Sequence, residues 1–303
     1  MELLKKLCEI HAPSGEEISM KEFILKYVNE KMNGWKSQPV IVADQIQDSL
    51  VLVFGKPRLA VFAHMDSIGF TVRYDNKLVR IGSPVIESGF VLTGRDSIGN
   101  IECKLKYDED TKEISVDYDR IIERGTSLVY KSNFREDHEF VLSQYIDNRL
   151  GVYNCLKLAE TLENGIIAFS CWEEHGSGSV EVLSKLIYEK YKVSQALIAD
   201  ITWVTEGVFH GKGVVISMRD QFIPRQSYIR KIMDIADKAK IKYQLEVEGS
   251  GSSDGGYLQR TAFPFDWCFI GAPEDGVHSP NEKVHKGDIE SMLDIYKLLF
   301  EKL

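Results

Sequence analysis

Apolar residues recur at helical spacing near the start of the chain. Met20, Phe23, Ile24, Tyr27 and Val28 fall at i, i+3, i+4, i+7 and i+8. Ser14 and Glu17 carry the S-x-x-E spacing of a capping box, which predicts that this helix starts there. Two short apolar runs follow, Asp48 to Gly55 and Arg58 to His64, and read as strands joined by a turn at Gly55-Lys56-Pro57. The texture changes after Asp66. From Ile68 to about Val141 the runs GFTVRY, KLVRIG, VIESGFVL, IECKLKY, ISVDY and TSLVYK are β-prone and separated by Gly, Asp, Asn and Lys clusters. No long helical period interrupts them, which predicts a small all-β module. Helix and strand patterns then alternate. Helices are expected over Asp147 to Glu163, Val180 to Tyr191, Tyr228 to Lys240 and Ile289 to Leu303. Strands are expected over Ile166 to Trp172, Ala196 to Ile201, Tyr243 to Val247 and Trp267 to Gly271. Such alternation implies an α/β fold with a mixed, largely parallel sheet flanked by helices. The expected division is a discontinuous α/β domain, residues 1–67 and 142–303, with an inserted β-barrel-like domain, residues 68–141.

Composition narrows this only a little. The 303 residues allow one large domain or two smaller ones. A net charge of -9 gives no support to binding of nucleic acid or an anionic membrane, both of which want a basic face. Cys8, Cys103, Cys155, Cys171 and Cys268 are odd in number and scattered, with no CxxC pair. That argues against a disulfide framework and a cysteine-built zinc site. Lys5, Lys6 and Glu9 interrupt what could have been a signal-peptide core. No run approaches the ~20 apolar residues of a membrane span. A cytoplasmic location is expected.

The chemistry lies where polar residues follow apolar strands, because ligands of open α/β sheets bind outside the carboxyl ends of the strands. In FAHMDSIGF, His64 and Asp66 are two apart and share a face if the strand continues. A metal-bound imidazole usually donates its other N–H to a carboxylate, so Asp66 could orient His64. In YIDNRLG, Asp147 is either a helix N-cap or a carboxylate bridging two metals, and Asn148 and Arg149 can be plain helix-start residues. In FSCWEEHGSG, Glu173 and Glu174 follow a buried strand and point different ways. One can bind a metal while the other acts as general base on water. A solvated loop is the bland alternative, and His175 reads as a wall or substrate-contact residue. In ALIADITW, Asp200 sits inside an apolar run, where an unpaired carboxylate is unstable. It is a ligand or a member of a buried salt bridge. In GVHSPNEKV, His278 follows an apolar strand. His285 reads as surface, and His11, His138 and His210 have no evident acidic companion.

The resulting set is His64, Asp147, Glu174, Asp200 and His278. Mixed imidazole and carboxylate ligands suit zinc, cobalt or manganese. Three carboxylates and one hydroxide balance two divalent ions, whereas one ion would leave the centre anionic. Two ions per chain are therefore expected, with Glu173 taking the proton of the attacking water.

In this order, LLKKLCEIHAPSGEE, AHMDSIGF, IDNRLG, EEHGSG, IADIT and VHSPNE resemble the M42 family of dinuclear metallo-aminopeptidases, which includes the glutamyl and tetrahedral aminopeptidase groups. The resemblance covers nearly the whole chain. It implies that His64 binds one metal, Asp147 bridges, Glu174 and Asp200 bind one each, and His278 binds the second. It also implies Glu173 as base, Asp66 as the residue orienting His64, short peptides as substrates, and a homo-oligomer, either a dodecamer or a smaller assembly. About 80 residues separate His64 from Asp147, as in M42 proteins. The M20 group places its added domain later, and the M28 group has only a short loop here. Three positions depart from the family pattern. Ser67 stands where an acid is usual, His175 where an apolar residue is usual, and Ser253 replaces Thr in a GSSDGG stretch whose Ser253 and Asp254 would lie near substrate. The β module also looks short. An acid-preferring pocket would want a basic side chain near the metals, and Arg219 and Arg225 are candidates by chain position. A deacylase of N-acyl amino acids and a non-catalytic scaffold of the same fold are the competing functions.

Overall fold

The computed structural model describes residues 1–303 apart from Ser177. Helices α1 (Glu2–Cys8) and α2 (Ile18–Lys31) precede strands β1 (Val40–Val42), β2 (Leu50–Phe54) and β3 (Ala60–His64). Six short strands follow: β4 (Gly69–Val72), β5 (Leu78–Ile81), β6 (Val91–Arg95), β7 (Asn100–Tyr107), β8 (Ile114–Asp117) and β9 (Ser127–Tyr130). The chain continues through β10 (Arg135–Glu136), β11 (Phe140–Ser143), α3 (Ile146–Ala159), β12 (Gly165–Ser170), α4 (Val180–Tyr191), β13 (Gln195–Trp203) and β14 (Val214–Arg219). It ends with α5 (Gln226–Ala239), β15 (Tyr243–Val247), α6 (Asp254–Arg260), β16 (Asp266–Asp275), β17 (Glu282–His285) and α7 (Lys286–Lys302). No helix among the described residues is long and apolar enough to cross a membrane.

A mixed sheet forms the body of the molecule. Its centre, β12-β3-β13-β16, is parallel, and antiparallel strands extend it on both sides. Both faces of the centre are covered, so its strands are continuous apolar runs. Along β3, Val61 and Ala63 enter one core with α1, α2, α3, α5 and α7, while Ala60 and Phe62 enter another with α4 and α6. The six short strands make a separate antiparallel sheet in the order β5-β4-β9-β6-β7-β8. A bridge between Lys77 and Ser115 draws its two edges together. The core of this sheet is its own, built on Phe70, Leu92, Ile101, Leu105 and Leu128. Strands β10 and β11 pair through β17 into the large sheet instead.

Several local expectations change. Runs β2 and β3 are strands, but β12 lies between them, antiparallel to β2 and parallel to β3. The link from Gly55 to Leu59 easily crosses two inter-strand spacings, about 10 Å. Ser14 and Glu17 do not form a capping box. Helix α2 has no side-chain cap. The Ser14 hydroxyl donates to Asp66 Oδ2 at 2.6 Å, and the buried Glu17 carboxylate accepts from the N–H groups of Gly15 and Trp172, both at 3.0 Å. A hydrogen bond to a buried carboxylate is worth more than a cap at an exposed helix start. Val85 to Phe90 is not strand, and β14, an apolar run, was not foreseen. His210 does have an acidic companion, Asp275 at 3.1 Å, and His11 lies 3.3 Å from Glu16. Folding brings Asp275 to His210 from 65 residues away.

Candidate metal centre

The site sits at the carboxyl end of the parallel strands. His64 closes β3 beside Ser170, the last residue of β12. Three residues on, the loop after β12 carries Glu173 and Glu174. Asp200 lies within β13, and His278 follows β16 with a positive φ of 63° that turns its ring back toward the strand ends. Asp147 stands in the first turn of α3 with a non-helical ψ of 107°. Helix α3 can approach this closely because Gly151 faces the Ala199 carbonyl of β13, where a Cβ has no room.

Two groups of metal-ligand type form here and share Asp147. His64, Asp147 and Asp200 make one, and Asp147, Glu174 and His278 make the other. The His64 Nε2 atom is 3.2 Å from Asp147 Oδ1 and 3.7 Å from Asp200 Oδ2. The His278 Nε2 atom is 3.3 Å from Asp147 Oδ2 and 3.2 Å from Glu174 Oε2. Each oxygen of Asp147 therefore faces a different imidazole. Glu173 belongs to neither group, and its Oε2 is 4.0 Å from His64 Nε2.

A buried layer of hydrogen bonds holds these side chains. Asp66, wholly buried, lies 3.4 Å from His64 Nδ1 and accepts from the N–H groups of Glu173 and Glu174, both at 3.0 Å. One carboxylate thus lies beside an imidazole and fixes the backbone of both glutamates. Arg149 is fully buried and donates to the carbonyls of Met65, Asp66 and Ala12, holding the loop after β3. Glu282 accepts from the N–H of Asp147 at 3.1 Å and from that of His278 at 3.0 Å. Sequence reasoning passed over Glu282 and gave Arg149 only a helix-start role. The spacing of Glu282, four residues after His278, was the one available signal.

The electrostatics follow from packing five carboxylates and two imidazoles into a largely buried space. Burial raises Glu173 well above the usual carboxylate range, and Glu174 and Asp200 add to the shift. Burial, with the charge of Asp147, likewise raises Glu174 and Asp200. Burial opposes ionisation of Asp147, but hydrogen bonds from His278 and His64 overcome it and hold its carboxyl low. Burial acts to lower His278, yet Asp147 and Glu174 push it up to about 12. Among the described residues, Glu174 Oε1 is buried without a partner. Such a cluster is stable only with positive charge among the carboxylates. The donor set, mixed imidazole nitrogen and carboxylate oxygen in two groups with a shared member, fits a pair of divalent ions.

The residues expected at the substrate behave differently. His175 is exposed and accepts a hydrogen bond at its Nδ1 from the Gly82 N–H at 3.0 Å, which ties the loop after β12 to the residue that follows β5. Ser253 caps α6, and Asp254 is buried against the Ser170 hydroxyl. None of the three lines the cavity at the centre. Ser67 is buried under the loop and donates to Ala12 O. Arg225 is paired with Asp266, and Arg219 donates to the Asp220 backbone carbonyl. Neither arginine lines the cavity.

A family model described as M42 glutamyl aminopeptidase matches residues 100–295. A protein of Acetivibrio thermocellus provisionally named an aminopeptidase is 24% identical over 335 aligned positions, covering 100% of this chain and 98% of that protein. Among solved structures, an aminopeptidase of the archaeon Desulfurococcus kamchatkensis superposes with a TM-score of 0.87 at 21% identity, covering 100% of this chain and 94% of the other. The TET1 peptidase of Pyrococcus horikoshii, which can assemble into a tetrahedron or a large octahedral shell, gives 0.83 at 22% identity, covering 100% and 99%. These structural likenesses concern the fold, whereas the family match spans well over half of the sequence. The chain belongs to the M42 glutamyl aminopeptidase family of peptidases.

Proposed function

We propose that the chain is a dinuclear metallo-aminopeptidase that removes N-terminal residues from short peptides. The observation that carries this reading is the shared Asp147, one oxygen toward His64 and the other toward His278, with Glu173 left over as a base. His64 and Asp200 would hold one ion, Glu174 and His278 the other, and Asp147 both. Zinc, cobalt and manganese suit these ligands. Bound there, the ions would supply Lewis acidity to a water and to the scissile carbonyl.

The chain's own residues do the rest. Glu173 accepts the proton of the attacking water and gives it to the leaving amine nitrogen. Its raised pKa suits a group that must hold a proton between two steps. Asp66 keeps His64 in one orientation and pins the Glu173 backbone, so a single carboxylate couples ligand geometry to base geometry. Glu282 pins the backbones of Asp147, shared by both metal-ligand groups, and of His278, a member of one.

The division into a catalytic α/β domain and an inserted β domain is supported by the separate cores of the two sheets. A homo-oligomer is proposed by analogy with the TET1 peptidase. The test of the activity uses enzyme reconstituted with each metal and a panel of free-amine peptides beside their N-acetylated forms. Turnover confined to free-amine peptides supports the reading. Turnover confined to blocked substrates makes the chain a deacylase and overturns it.

A further inference from the structure

The cavity at the metal centre, about 320 Å³, runs on past the ligands to a second wall. There Asp220, Glu246 and Glu248 face the space. The cavity lining contains no Lys or Arg. Glu246 and Asp220 are only 5% and 8% exposed, so each is more than nine-tenths buried. Among the described residues, neither forms an ion pair with a basic side chain. Glu246 accepts from the Thr202 hydroxyl, and the like charges of Glu248 and Asp220 act on it. One Asp220 oxygen accepts from the Phe222 N–H, and among the described residues no hydrogen bond engages the other. Arg219, next in sequence, spends its Nε–H on the Asp220 backbone carbonyl. Buried carboxylates that lack an ion-pair partner are destabilised; burial raises both from their ordinary range, and the charge of Arg219 offsets this only in part for Asp220.

The wall lies within reach of the reaction centre. Thr202 is two residues beyond Asp200 on β13, so both side chains leave the same face, about 7 Å apart along the strand. Thr202 carries Glu246 on its hydroxyl. Trp203 and Phe269 add aromatic surface to the lining, against which a methylene chain can lie. Resting on the aminopeptidase reading, we propose that this acidic wall receives the cationic side chain of the N-terminal residue. The enzyme then favours peptides beginning with Lys or Arg over those beginning with Glu or Asp, the reverse of the preference in the family's name.

The test compares lysyl, norleucyl and glutamyl p-nitroanilides on the reconstituted enzyme. Norleucine keeps the methylene chain and lacks the charge. The lysyl substrate is expected to exceed the norleucyl one in kcat/KM by roughly tenfold or more, with the glutamyl substrate lowest. Added salt should shrink the gap. Asp220→Asn and Glu248→Gln should each cut the lysyl-to-norleucyl ratio several-fold, chiefly through KM. Glu248 is partly exposed, so its variant keeps the protein folded if Asp220→Asn does not. A second readout is binding of lysine amide and norleucine amide to Glu173→Gln by calorimetry. A ratio near one, or a glutamyl preference, overturns the inference while leaving the aminopeptidase standing. If no free-amine substrate turns over, the proposed function falls. Calorimetry then still decides the acidic wall, because equal binding of the two amides overturns it.

Discussion

The two sheets use charged residues in opposite ways. In the small sheet, β7 alternates strictly between exposed and buried positions, with Ile101, Cys103 and Leu105 inside and Glu102, Lys104 and Lys106 outside. Its charges meet across strands at the surface, as in Lys131 with Glu102 at 2.9 Å and Lys106 with Asp117 at 3.2 Å. In the large sheet, β3 and β12 are buried at every position, and the charges come at or just after their ends, inside the protein. Asp66 and Glu282 have no exposure at all. A charge on the small sheet keeps a face wet. A charge at the carboxyl edge of the large sheet is held dry by a partner, and this difference marks where chemistry can occur.

Substitutions can break or sharpen that contrast. Glu173→Gln should lower turnover by roughly 10²–10⁴-fold, the range for a lost general base, while leaving metal content unchanged. Steady-state kinetics beside elemental analysis checks both halves, and near-normal turnover would remove Glu173 from the role. Phe70→Ala empties the heart of the small sheet, where Phe70 is fully buried. A loss of roughly 3–5 kcal/mol in denaturant unfolding is expected. Glu282→Gln leaves every ligand in place but puts an amide N–H₂ against the N–H of Asp147 or His278. Metal affinity should fall roughly 10–100-fold, measured by competition with a chelator. Lys131→Ala removes an exposed pair of the small sheet and should shift stability by less than about 1 kcal/mol. A comparable loss of metal affinity from Lys131→Ala and Glu282→Gln would erase the distinction between the two regions.

The same contrast explains what the sequence disclosed. His64, Glu173, Glu174 and Asp200 stood out because apolar strands lead into them, and that pattern is local. The small sheet was legible for the same reason, through alternation and turn residues. Glu282 was not, since nothing in Asn281-Glu282-Lys283 distinguishes it from a surface turn until β17 pairs with β11 and β16. Asp220, Glu246 and Glu248 converge only once β14 pairs with both β15 and β16, and β14 itself went unread. Arg225 looked available because its carboxylate partner, Asp266, lies 41 residues away and is brought to it by folding. His175 looked like substrate chemistry because its partner, the Gly82 N–H, lies 93 residues away. Strand ends are visible in one sequence, whereas second-layer partners depend on which strands become neighbours.

The claim on which all of this depends is that Asp147 is shared between two ion sites. Elemental analysis of the protein, reconstituted with zinc, cobalt or manganese and freed of loose metal, measures it directly. Two ions per chain in the wild type are expected, with a loss from both sites in Asp147→Asn. Fewer than one ion per chain in the wild type, or full occupancy in Asp147→Asn, would contradict it.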